Sequence, residues 1–199
     1  MERQAWRECL RTANRLTWRI APRQSPMLLR PLSLADTDAI DLVAERMRAT
    51  LIEVEGEEAG GTMYSMDWLR ERVRWHLDGR AAEVVVAADE AGVIVGHTIY
   101  RVESDADSVT AGLHAAPFGL ISTTYVVPEA RRLGVAQRLL AHAEAWFLEC
   151  RVPFACTWTS ETNMPLIGLY GRNGYVESER GPNQLTQTMM VRLTKALSA

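Results

Sequence analysis

Apolar positions recur with two periods along this chain, and the switches between them mark its elements. From Met27, "MLLRPL" reads as a short strand, and "SLAD" follows as a capping box from Ser33 to Asp36. Ile40, Val43, Ala44, Met47 and Leu51 then repeat at helical spacing. "EVEGEEAGG" reads as an acidic, glycine-containing loop. "DWLRERVRWHLDG" reads as a second helix ended by glycine. "AEVVVAADEAGVIVGHTIYRVE" predicts two strands joined at a turn around Asp89–Gly92. "SDADSVTAGLHAAP" is a long polar loop, and "FGLISTTYVVP" a strand stopped by Pro128. A long helix follows, apolar at Val135, Leu139, Leu140, Ala143, Trp146, Phe147 and Cys150. "PFACTWTS" predicts a strand, "NMPLIGLYGRNG" a short helix and "TQTMMVRLT" a last strand, with a further strand near Tyr175–Glu179. The order predicts an α/β (α+β) domain with a mixed, largely antiparallel sheet flanked by helices.

The first 26 residues stand apart. Arg3, Arg7, Arg11, Arg15 and Arg19 recur every four residues, beside an apolar stripe of Trp6, Cys9, Leu10, Ala13, Leu16 and Ile20. This segment carries six arginines against two glutamates; the rest carries sixteen basic and twenty-three acidic residues. It reads as an amphipathic helical extension, residues 1–26, ahead of a domain at 27–199, with two prolines in "APRQSP" between them. Its apolar stripe suits packing on the domain or on a second copy, so a homodimer is compatible with it. Glu2 and Glu8 argue against a targeting presequence.

Composition narrows the function classes. A net charge of −3 gives no reason to expect nucleic-acid binding. No apolar run approaches the roughly 18 residues of a membrane span. Three cysteines, Cys9, Cys150 and Cys156, suit a reducing cytoplasm better than a disulfide framework, and neither they nor the four histidines make a metal pattern.

The chemistry concentrates in "EARRLGVAQRLL", residues 129–140. A strand ending at Val127 feeds a helix that starts near Gly134. The first turn of a helix has free N–H groups and a partial positive charge, and Gly134 and Ala136 keep side chains out of the way of an anion. Arg131 and Arg132 add bidentate donors. Neither a Gly-Lys-Ser/Thr loop nor a three-glycine dinucleotide fingerprint is present. Alone, this turn reads equally as the basic start of an ordinary helix.

Downstream, Asn163 precedes Tyr170 by seven residues, and Gly174–Tyr175 closes the segment. With Val126, Pro128, Glu129, Arg131, Gly134 and Ala136, these residues make the chain from about Met27 onward resemble the GNAT superfamily of acyl-CoA-dependent N-acyltransferases. Arg132 departs from the family pattern, standing where relatives often have glycine. The resemblance implies a fold with a splayed central strand pair and acetyl-CoA as co-substrate, without a metal. It implies that Tyr125, Val126 and Val127 present backbone to the pantetheine arm. The amides from Arg132 through Leu133, Gly134, Val135 and Ala136, with the side chains of Arg131 and Arg132, would hold the pyrophosphate. Asn163 would bind the cofactor arm, and the hydroxyl of Tyr170 would serve the departing sulfur. An amide of Val126 or Val127 would polarise the thioester carbonyl.

The implied reaction is direct transfer of acetyl from acetyl-CoA to a primary amine on a small molecule or peptide. A silent acyl-CoA-binding module, or an enzyme using a longer acyl donor, fits the same motifs. The strand before the phosphate turn has no carboxylate, so Glu83, Glu103 and Glu161 are the candidate bases by location. Glu53, Glu55, Glu57, Glu58, Asp105 and Asp107 make the expected acceptor-pocket segments acidic, which favours a cationic amine.

Overall fold

The computed structural model describes residues 27–103 and 117–198. The expected helix at 1–26, and the polar loop with Asp105 and Asp107, lie outside them. The elements run β1 (Leu28–Pro31), α1 (Thr37–Glu55), α2 (Glu57–Thr62), α3 (Met66–Leu77), β2 (Ala82–Ala88), β3 (Ile94–Glu103) and β4 (Phe118–Val126). A single 3₁₀ turn, Pro128–Ala130, leads to α4 (Val135–Glu149), β5 (Phe154–Ser160), α5 (Met164–Arg172), β6 (Val176–Pro182) and β7 (Met189–Ala196).

The strands form one seven-stranded sheet in the order β1-β2-β3-β4-β5-β7-β6. Every adjacent pair is antiparallel except β4 and β5, which run parallel. That pair holds together only from Gly119–Ile121 against Ala155–Thr157. The rest of β4 stays paired to β3 alone, so a gap opens on its β5 side.

Each face of the sheet has its own core. α4 buries Val135, Leu139, Ala143 and Phe147 on one face, as its periodicity predicts. A Cβ on Gly119 would lie 2.6 Å from the Phe147 ring, so glycine there lets α4 seat on β4 beside the closed end of the gap. α1 and α3 cover the other face through Ile40, Val43, Ala44, Leu69 and Val73.

Two local expectations change. The acidic segment at 53–61 is helical. α1 continues through Glu55, and Gly56 turns the chain at φ +86° into α2. Glu57 and Glu58 then sit in the first turn of α2, where negative charge favours a helix. A Cβ on Gly60 would collide with the Leu51 carbonyl at 2.3 Å, so this glycine is what folds α2 back onto α1. The capping box also moves. Ser33 donates through both its N–H and its hydroxyl to the Asp36 carboxylate, but Asp36 is itself the N-cap and gives no side-chain cap to α1. These bonds hold a turn ahead of the helix, and they lower the pKa of Asp36.

Candidate active site

The gap between β4 and β5 brings the candidate site residues together. In the β3–β4 ladder the N–H of Val127 donates to the Val95 carbonyl at 3.0 Å. Tyr125 lies opposite His97, and Val126 opposite Gly96. Alternation along an antiparallel ladder therefore turns Tyr125 and Val127 toward β3, and the amides of Thr124 and Val126 into the gap. The carbonyl of Val126 is taken by Arg131, whose Nε donates to it at 3.0 Å. Of the expected backbone contacts, Val126 faces the gap; the Val127 amide is committed to β3.

The turn expected to hold phosphate follows. Arg132 adopts φ +64° and Gly134 φ +80°, two left-handed residues that pivot the chain into α4. Gly134 is the N-cap, and no side chain caps this helix. The first intrahelical bond runs from the Arg138 N–H to the Gly134 carbonyl, so the amides of Gly134, Val135, Ala136 and Gln137 have no helical partner. They border a groove of about 970 Å³ that runs along the β4–β5 gap. Arg131, Arg132, Gly134, Val135 and Ala136 line this groove, whereas Val127 and Leu133 do not. Leu133 is 61% exposed. Arg131 reaches away from the turn: its Nη2 donates to Glu53 of α1 at 2.6 Å. Arg132 is exposed beside the uncapped helix end.

Asn163 and Tyr170 converge on the groove from α5. Asn163 is the N-cap of α5, its Oδ1 accepting from the Leu166 N–H at 3.3 Å; its Nδ2 is the donor that remains. Tyr170 is buried and lines the groove together with Thr124 of β4 and Thr157 of β5. Burial pushes this phenol up to about 12. Gly174, at φ +86°, lets the chain turn so that the Tyr175 ring packs edge-on against Tyr170 at 4.8 Å. Thr157 went unremarked in the sequence; its signal was a polar residue at an inward position of a buried strand.

The expected bases lie elsewhere. Glu83 accepts from the Tyr100 hydroxyl at 2.7 Å, Glu103 is paired with Arg101, and Glu161 with Arg180. None of them lines the groove. The carboxylates that do are Glu53, already paired with Arg131, and Glu55, which accepts from the Thr188 hydroxyl. Glu57 and Glu58 point into solvent from α2. The groove is also walled by α1, by the stacked rings of Tyr64 and Trp68 (4.0 Å between centroids), and by Arg72, His76 and Ser122.

A profile of the Acetyltransferase (GNAT) family matches residues 37–175. The chain belongs to the GNAT acetyltransferase family. Its structural neighbours have the same fold at low sequence identity. The NatC complex bound to Gag peptide and CoA aligns at TM-score 0.67 and 16% identity, over 86% of this chain and 99% of that one. Arabidopsis thaliana NAA60 in complex with acetyl-CoA aligns at 0.64 and 13%, over 87% and 100%. The Salmonella typhimurium protein yncA, a putative acetyltransferase with its cofactor acetyl-CoA, aligns at 0.64 and 14%, over 86% and 94%. No curated protein matches the chain by sequence. Among the described residues no helix is long and apolar enough to cross a membrane, and no cluster of His, Cys, Asp or Glu suits a metal ion.

The groove of this GNAT domain fits acetyl-CoA on its own geometry. An uncapped helix start presents a row of unpartnered amides to an anion, and the strand gap presents unpaired backbone to an extended polar arm.

Proposed function

We propose that this chain transfers an acetyl group from acetyl-CoA to a primary amine by direct attack. The observation that carries the reading is buried Tyr170 lining one groove with Thr124, Thr157 and an uncapped helix start, where β4 and β5 part. The amides of Gly134 to Gln137 and the side chain of Arg132 hold the pyrophosphate. Arg131 acts indirectly, tying Val126 to α1 through Glu53. Asn163 holds the arm through its remaining amide donor. When bound, acetyl-CoA supplies an activated thioester.

The residues then divide the work. A lysine-like amine has a pKa of about 10.4, so only about 1 in 2,500 is neutral at pH 7 and a proton must be removed. Glu55, the wall carboxylate not already ion-paired, takes that proton through water. The Val126 amide, directed into the gap, stabilises the charge that grows on the carbonyl oxygen as nitrogen adds; one such donor is worth about 10²–10³ in rate.

Tyr170 meets the leaving sulfur. Its pKa of about 12 keeps it protonated throughout the physiological range. A thiol titrates near about 8.5, so complete transfer to a free thiolate would be uphill by about 5 kcal/mol. Tyr170 therefore stabilises the departing sulfur as a hydrogen-bond donor while the bond breaks, and solvent completes the protonation. Replacing Gly134 with glutamate puts a carboxylate against the phosphates. Calorimetric titration of Gly134→Glu should show acetyl-CoA binding abolished; unchanged binding would remove the phosphate turn from the account.

A further inference from the structure

The acceptor half of the groove holds a positive charge that the transfer chemistry does not use. Arg72, on α3, is half-buried and lines the groove, and it forms no ion pair with any described carboxylate. Its guanidinium lies 4.2 Å from the Trp75 ring centroid, with Arg80 over the same ring at 4.0 Å and Arg101 at 5.9 Å. Three cations thus surround one indole. The carboxylate beside them, Glu103, is bonded to Arg101 at 2.6 Å. His76 adds no negative charge: its Nδ1–H donates to the Arg72 carbonyl at 2.7 Å, and burial with the nearby arginines holds it neutral. Burial, then repulsion from Arg101, pushes Arg72 itself below its usual range, and the attraction of an incoming anion would oppose that shift.

A second donor stands opposite. Arg101 Nη1 donates to the hydroxyl oxygen of Ser122, a residue on the groove wall. That oxygen accepts from Arg101, and the hydroxyl keeps its own proton to donate. Arg72 and Ser122 together offer a fork and a hydroxyl to a planar or tetrahedral anion.

We propose that the acceptor carries an anionic group, a carboxylate or a phosphate, which Arg72 and Ser122 bind. The proposal deepens the transferase reading, on which it depends for calling this molecule the acceptor. Strand geometry sets the reach. Ser122 precedes Thr124 by two residues and Val126 by four, about 7 to 13 Å along the strand. An α-amino carboxylate is too short for both ends. An ω-amino acid or its phosphate counterpart spans the distance, its chain lying on the Tyr64–Trp68 stack.

The test titrates the CoA-saturated full chain with ε-aminocaproate, with its amide, and with the aminoalkyl phosphate of equal length. The acid or the phosphate should bind about 10- to 100-fold more tightly than the amide. The tighter of the two identifies the anion. Arg72→Met should reduce that ratio to within about twofold, and Arg72→Lys should restore part of it. Arg74→Met, whose arginine pairs with Glu71, should leave the ratio intact. Equal binding of acid, phosphate and amide, no binding of any, or a ratio that survives Arg72→Met would overturn the proposal. Charge-selective binding without thiol release would uphold the anion site and count against acetyl transfer.

Discussion

The hydroxyl of Thr157 donates to the carbonyl of Ile121 at 2.9 Å, spanning β4 and β5 at their last paired rung. Thr157 also neighbours the Tyr170 phenol on the groove wall. Thr157→Val should cost about 1–3 kcal/mol of stability by orphaning the Ile121 carbonyl. It should also lower kcat by disturbing the groove wall that Thr157 shares with Tyr170. In a double-mutant cycle with Tyr170→Phe the two losses in kcat should be strongly non-additive. Full additivity would separate Thr157 from the reaction.

Tyr170→Phe alone should lower kcat by about 10- to 1,000-fold while acetyl-CoA affinity changes less than about threefold. Steady-state kinetics with a calorimetric Kd separates the two. Because the phenol titrates near 12, no basic limb from Tyr170 should appear in the rate profile below about pH 10.

Arg132 occupies a left-handed conformation, φ +64°, that glycine adopts without strain. Arg132→Gly should leave the melting temperature unchanged or raise it by the equivalent of up to about 1 kcal/mol. It should weaken acetyl-CoA binding severalfold by removing a phosphate donor. A destabilised variant with full affinity would reverse both assignments.

His76 and His97 are buried, and each is held down to about 3, His97 by burial and then by Arg46. The unfolded chain takes up protons at these sites near pH 6.5, and the folded chain only near pH 3. Stability is therefore full above about pH 6.5 and falls as pH drops toward 3, by up to about 1.4 kcal/mol per pH unit for each histidine. His97→Phe should reduce the acid slope by about one proton in denaturant unfolding measured from pH 7 to pH 4. An unchanged slope would mean that His97 titrates alike in both states.

Much of this was legible in the chain. The apolar stripe of α4 named its buried face residue by residue, and Gly134, Asn163 and Tyr170 lie on one groove as the family resemblance implied. What was not legible depends on pairing. Sequence could not show that Val127 spends its amide on Val95, since that follows from ladder register. Nor could it show that Arg131 turns to Glu53, 78 residues earlier, or that Glu83 hides behind Tyr100. Long-range partners decide which charges remain for a ligand, and local pattern carries no record of them.

The same competition for partners governs the base. Glu55→Gln should lower kcat with amine acceptors by about 10²-fold or more and leave acetyl-CoA binding intact. Raising the pH, which supplies neutral amine, should restore part of the rate. Unaltered turnover would assign proton removal to water alone.

The most direct measurement of the central claim follows free thiol release from acetyl-CoA across a panel of primary amines, with mass spectrometry of the products. The account predicts thiol release that depends on the amine, matched by one acetyl group on the acceptor, and strongly reduced in Tyr170→Phe. Tight acetyl-CoA binding with no amine-dependent release for any acceptor would contradict it and make the chain an acyl-CoA-binding module.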